Sequence, residues 1–136
     1  MRSKLPDIGT TIFTVMSRMA HDHGAINFSQ GFPDFDCPDR LRELVAHYLN
    51  DQKNQYPPMT GVPVLRAAIA TKVKDLYGFD ADMDHEITVT SGATEALFDA
   101  IHASVSVGDE VIVFDPAYDS YDPAITLAGG KAIHIA

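Results

Sequence analysis

Cysteine is nearly missing from this chain. Cys37 stands alone among 136 residues, so no internal disulfide can form, and a reducing, cytoplasmic setting is the expectation. Cys37 precedes Pro38 and has no lysine, arginine or histidine beside it, so nothing in the sequence marks it as a reactive thiol. Positive charge is scarce as well. Ten Lys and Arg face 19 Asp and Glu, for a net charge of −9, and the acids are scattered. That balance argues against nucleic acid or an anionic membrane as partner, while leaving room for a local pocket that holds one phosphate. No apolar run approaches the length of a membrane span, and Met1 to Pro6 carries charge with no apolar core behind it, so no signal peptide is expected. Both glycine-rich nucleotide loops, G-x-G-x-x-G and G-x-x-x-x-G-K-[ST], are missing. Metal ligands are thin. His21 and His23 lie two apart, which does not place them on one helix face, and no third ligand is near; no metal is expected. His47, His85, His102 and His134 are dispersed and read as structural or solvated. Internal repeats and low-complexity tracts are absent.

What is present describes a globular chain with enough length for one domain and a core: 46% apolar and 21% charged residues. Its most informative stretch is Ile87 to Leu97, I-T-V-T-S-G-A-T-E-A-L. The β-branched run Ile87–Thr90 predicts a short buried strand. Ser91, Gly92, Ala93 and Thr94 turn the chain with small side chains, and an apolar-periodic helix follows to about Val105. Amides at a helix start have no internal acceptor and the helix dipole favours negative charge there, so this turn is a candidate phosphate site. Small residues let a phosphate approach the backbone.

Around this stretch, the spacing predicts a short helix over residues 15–20, a short strand over 25–28 and a Gly-Pro-Asp turn from Gly31. A helix is expected from about Asp39, with Leu41, Leu44, Val45 and Tyr48 on one face. Another starts near Pro63, carries Leu65, Ile69, Val73 and Leu76, and is capped by Gly78. Residues 51–61, with Pro57 and Pro58, form a loop. Glu110–Phe114 is nearly continuously apolar, as in a parallel sheet covered on both faces. The loop 115–121, a helix carrying Ile125 and Leu127, Gly129-Gly130 and a last strand from Lys131 complete a β-α-β-α-β order from residue 85, the pattern of a parallel α/β sheet. The alternation from Lys131 to Ala136 stops within a strand, which suggests a longer protein. Ligands of open α/β sheets sit at strand carboxyl ends. Two such ends are visible, at Ser91–Thr94 and at Asp115–Tyr118, and an aromatic ring beside a phosphate site suits a flat aromatic cofactor.

Five segments carry a resemblance along nearly the whole chain. They are Gly9-Thr10-Thr11-Ile12-Phe13, Asn27 to Phe35 (N-F-S-Q-G-F-P-D-F), Asn54-Gln55-Tyr56, Val89 to Leu97, and Asp115 to Tyr121 (D-P-A-Y-D-S-Y). In this order and spacing they resemble the N-terminal third of a class I, fold-type I aminotransferase dependent on pyridoxal 5'-phosphate, closest to the branch of methionine and kynurenine–oxoglutarate aminotransferases. The resemblance implies an N-terminal arm and small-domain segment over 1–38 and the start of the cofactor-binding large domain over 39–136. It implies that Gly92, Ala93 and Thr94 hold the cofactor phosphate and that Tyr118 stacks on its ring. Tyr56 would reach the partner's cofactor in a homodimer. Gly31 would lie beside the substrate carboxylate, and Phe13 and Phe32 would line the side-chain pocket. An apolar pocket suits methionine or aromatic amino acids, with a 2-oxo acid as the second substrate.

The family also needs a lysine that binds the cofactor, an aspartate against its ring nitrogen and an arginine fork for the substrate carboxylate. The lysines here, Lys4, Lys53, Lys72, Lys74 and Lys131, match no such motif, so no catalytic residue is assigned. Other readings remain open at this level: a carbon–sulfur β-lyase on the same fold, a non-catalytic binding or assembly fragment, and a nucleotide-binding α/β domain.

Overall fold

The computed structural model describes residues 3–31 and 33–136. Among the described residues, five helices and two strands follow one another as α1 (Ile12–Asp22), α2 (Asp39–Asn50), α3 (Pro63–Tyr77), α4 (Ala93–Ser104), β1 (Glu110–Phe114), α5 (Tyr121–Ala128) and β2 (Lys131–Ile135). They fall into two compact units. One joins the N-terminal segment up to Cys37 with residues 97–136; the other holds residues 38–96.

In the first unit, β1 and β2 pair in parallel, from Glu110 opposite Lys131 to Phe114 opposite Ile135. Two adjacent parallel strands need a crossover, and α5 supplies it, packing against β2. The core is small and lies under this crossover: Val113, Ala124 and Ile125, the last only 1% exposed. Gly129 ends α5 in a left-handed conformation. At the other end of the unit Thr11 caps α1, its hydroxyl accepting the Thr14 amide at 3.4 Å, which lets the helix start three residues earlier than its apolar pattern predicts. Residues 25–28, expected as a strand, have no ladder partner among the described residues and run as irregular chain.

In the second unit, α3 begins on Pro63 and ends on Gly78 at φ 70°, as the sequence predicts. Its buried residue is Arg66, not a member of the leucine stripe: Leu65 and Leu76 are exposed. The Arg66 guanidinium donates to the carbonyls of Gly61 (Nε, 3.3 Å) and Met83 (Nη1, 2.6 Å) and meets Asp84 Oδ1 at 3.3 Å, so the buried charge is satisfied on several sides.

The segment 87–90 differs from its expected strand. Ile87 is buried, but among the described residues the segment's one backbone bond to another segment is Val89 N–H to Thr60 C=O, 3.0 Å. A strand exists only with a partner ladder, and none of the described residues supplies one. The two-sided burial expected of β1 is not met either. Val113 is buried while Ile112 and Phe114 on the opposite face are exposed, so the strand is covered on one face rather than two. The apolar faces of α2 (Leu41, Val45, Tyr48) are likewise exposed.

Candidate functional site

The turn before α4 is built by its own short-range bonds. The Gly92 amide donates to Thr90 C=O at 2.8 Å, and the Thr90 hydroxyl donates to Gly92 C=O at 3.0 Å. Gly92 takes φ 86°, a left-handed conformation that side-chain-bearing residues adopt at a cost, and the space where a Cβ would sit is open. Its carbonyl then accepts the Ala96 amide at 3.3 Å and starts the helix. Glu95, third in the helix, turns back so that its carboxylate accepts the Ser91 amide. This commits the one acidic group of the first turn to the turn's own backbone. The first-turn amide of Ala93 has no carbonyl one turn earlier within the helix to bond. Gly92, Ala93 and Thr94 are all exposed. The donor set therefore consists of backbone amides and a threonine hydroxyl at the positive end of a helix of 12 residues, with room for an anion above the glycine. That chemistry fits a phosphate monoester such as the cofactor implied by the sequence.

In the same unit as that turn, Tyr56 stands on the 51–61 loop and is 99% exposed. Its ring is presented outward, with no hydrogen bond to the other described residues.

The first unit holds the other candidates. Tyr118 follows β1, beyond the cis Asp115–Pro116 peptide, on the loop at the strand's carboxyl end. It is 40% exposed. Phe13, on α1, approaches it with ring centroids 6.5 Å apart and planes at 52°, and Tyr121 meets it edge-on at 5.9 Å and 82°. The fold thus joins Phe13 and Tyr118 from opposite ends of the sequence into one aromatic cluster. An apolar hollow of about 480 Å³, lined by Leu97, Ile101, Ile112, Phe114, Tyr118 and Tyr121, adjoins it. Gly31 is exposed with open space around its Cα. Phe32 lies outside the described residues. Gly92, Ala93, Thr94 and Tyr56 belong to one unit and Tyr118, Phe13 and Gly31 to the other.

Three contributors escape sequence reading. Glu95 could have been found from its position three residues into a helix behind a small-residue turn. Arg66 and His134 could not. Their partners, Met83 and Asp84 for the first and Asp115 and Asp122 for the second, are distant in sequence and share no motif with them. Among the described residues, no helix is long and apolar enough to cross a membrane, and no group of three His, Cys, Asp or Glu side chains could hold a metal ion.

Comparison with known proteins identifies the family. The family described as aminotransferase class I and II matches residues 23–136. Methionine aminotransferase of Escherichia coli is 63% identical over 129 residues, which is 95% of this chain and 33% of that protein. A probable N-succinyldiaminopimelate aminotransferase of Mycobacterium tuberculosis is 40% identical over 133 residues, 98% of this chain and 34% of that one. The crystal structure of YbdL from Escherichia coli, identified there with a methionine aminotransferase function, superposes with a TM-score of 0.94 at 60% identity, covering all of this chain and 36% of its own. The chain spans about a third of the length of the curated relatives it matches.

Proposed function

The chain belongs to the class I and II aminotransferases, and from that premise we propose that it supplies the phosphate-holding and ring-stacking part of a longer enzyme that moves an amino group between an amino acid and a 2-oxo acid. Its fold is that of fold-type I aminotransferases, whose class depends in general on pyridoxal 5'-phosphate. The observation that carries the proposal is the turn at the head of α4, where Gly92 at φ 86° leaves open space above first-turn amides.

In this reading Gly92, Ala93 and Thr94 hold the cofactor phosphate: Gly92 allows its close approach, and the amides of Ala93 and Thr94 and the Thr94 hydroxyl donate to it. The Tyr118 ring, braced by Tyr121 and Phe13, lies against the cofactor ring. Phe13 and Phe32 give the substrate pocket its apolar character, which favours methionine, aromatic or related amino acids, and the Gly31 backbone lies beside the substrate carboxylate. Tyr56, outward-facing on its loop, reaches the cofactor of a second subunit in a homodimer. The bound cofactor supplies the electron sink for chemistry at the amino acid's α-carbon. Residues 1–38 serve as arm and small-domain segment and 39–136 as the start of the large domain, in a cytoplasmic enzyme. None of the residues in this chain is assigned a catalytic role.

The test uses the full-length protein with methionine as donor. Transamination gives one 2-oxo acid product per acceptor consumed and no free ammonia. Ammonia released without an acceptor would replace this reading with the β-lyase, and no uptake of pyridoxal phosphate would leave a non-catalytic fragment. Thr94→Val removes one charge-assisted bond and is expected to raise the Kd for pyridoxal phosphate by roughly tenfold, measured by spectrophotometric titration.

A further inference from the structure

His134 lies on β2 with a carboxylate on each side of its ring. Nδ1 is 2.9 Å from Asp115 Oδ1 and Nε2 is 3.2 Å from Asp122 Oδ2. Asp115 directly follows β1 and Asp122 is the second residue of α5, so the two carboxylates mark the two ends of the loop that carries Tyr118. We propose that His134 is a positioning residue: its imidazolium clamps Asp115 to Asp122 and thereby fixes the loop that presents the Tyr118 ring. The part of this inference that concerns the cofactor rests on the reading above; the clamp itself does not.

The geometry demands the charged ring. An ionised carboxylate only accepts, and a neutral imidazole has one donor and one lone pair. Between two carboxylates, a neutral ring would set its lone pair against an anionic oxygen. The imidazolium donates to both. Asp122 has little else to lean on, since its Oδ1 is buried with no hydrogen-bond partner among the described residues. The backbone shows the same loop base from its other side: Asp115 N–H donates to Ile135 C=O at 2.9 Å, next to His134, and Tyr121 N–H donates to Tyr118 C=O at 3.1 Å. With both ends held, the edge-on contact of Tyr118 and Tyr121 is held too.

Asp115 and Asp122 are the ionisable groups that act on the imidazole, and they raise its pKa above the ordinary 6.5, the Asp115 hydrogen bond most. A pKa raised by folding stabilises most below the unfolded value and loses that contribution as pH rises through the folded one. The clamp is therefore closed in mildly acidic solution and opens on the alkaline side.

Amide hydrogen exchange at residues 117–121 of the full-length protein, corrected for the intrinsic rate, reads the clamp without reference to activity. Protection is expected to fall by roughly fivefold between pH 6 and pH 9, the size of a partly exposed ion pair. In His134→Gln protection is low at both ends of that range and the step is gone. Asp122→Asn, which keeps the ring, loses most of the step. A step that persists in His134→Gln, or a wild-type loop whose protection does not change with pH, overturns the proposal. Uptake of pyridoxal phosphate by the same wild-type sample reports separately. A step without uptake keeps the clamp and removes the cofactor reading, and uptake without a step does the reverse.

Discussion

Gly61→Ala lowers the stability of the full-length protein by about 3 kcal/mol, the sum of a backbone and a packing penalty. Gly61 sits at φ 101°, beyond the conformations that residues with a side chain accept readily. A Cβ there would lie 2.6 Å from Val89 Cγ2 and 2.8 Å from Val89 Cβ. Rotating the Val89 side chain relieves only the first contact, because the second involves a carbon fixed to the backbone. The left-handed backbone costs about 1–2 kcal/mol and forced overpacking about 1–3 kcal/mol. Relief requires Val89 to withdraw, yet Val89 N–H is bonded to Thr60 C=O, one residue before the glycine. Withdrawal therefore breaks the bond that anchors the chain just before the Gly92 turn. Gly78→Ala is the control. Gly78 also has positive φ, at 70°, but open space around it, so only the backbone penalty of about 1 kcal/mol applies. Urea denaturation of the two variants decides: equal losses would show that the close approach to Val89 is immaterial.

The sequence discloses whatever is decided within a few residues. Pro63 and Gly78 bound α3 because one tolerates a first-turn position and the other a left-handed cap. Glu110–Phe114 and Lys131–Ile135 are legible as strands from short apolar or alternating runs between glycines. The Gly92–Thr94 turn is legible as a candidate anion site because helix start and glycine are both local features. What depends on a partner elsewhere in the chain is hidden. Ile87–Thr90 has strand composition but no ladder among the described residues. Composition gives a propensity, and only pairing makes a strand. The leucine stripe of α3 points where few described residues meet it, while Arg66, which a polarity pattern places outside, is buried by three acceptors that the fold gathers from residues 61, 83 and 84. Phe13 and Tyr118 enter one cluster for the same reason: no periodicity links the first helix to a loop beyond β1. The family resemblance names both residues, and the fold puts them in contact.

Arg66→Met is expected to cost about 3 kcal/mol, because it leaves one buried and one part-buried carbonyl acceptor without donors. The Asp84 contact contributes little to that figure. Its side chain is 63% exposed, and Asp84→Asn should change stability by about 0.5 kcal/mol or less. The carbonyls of Gly61 and Met83 carry the loss, since methionine fills the volume of the alkyl stem but donates nothing. Arg66→Lys separates charge from geometry. An ammonium restores the charge but not a planar fork that reaches Gly61 C=O from Nε and Met83 C=O from Nη1 together, so it should recover less than half of the loss. The guanidinium also meets the same residue whose substitution collides with Val89. Arg66 holds the Gly61 carbonyl, Thr60 beside it holds Val89, and Val89 leads into the Gly92 turn. Side chains that share one structural element do not lose stability independently. Gly61→Ala already displaces the carbonyl that Arg66 serves, so the double variant should lose about 1 kcal/mol less than the two single losses combined. Additive losses in urea denaturation would mean that Arg66 supports α3 and the Met83 segment alone, and that the approach to the Gly92 turn rests on the packing of Gly61 against Val89.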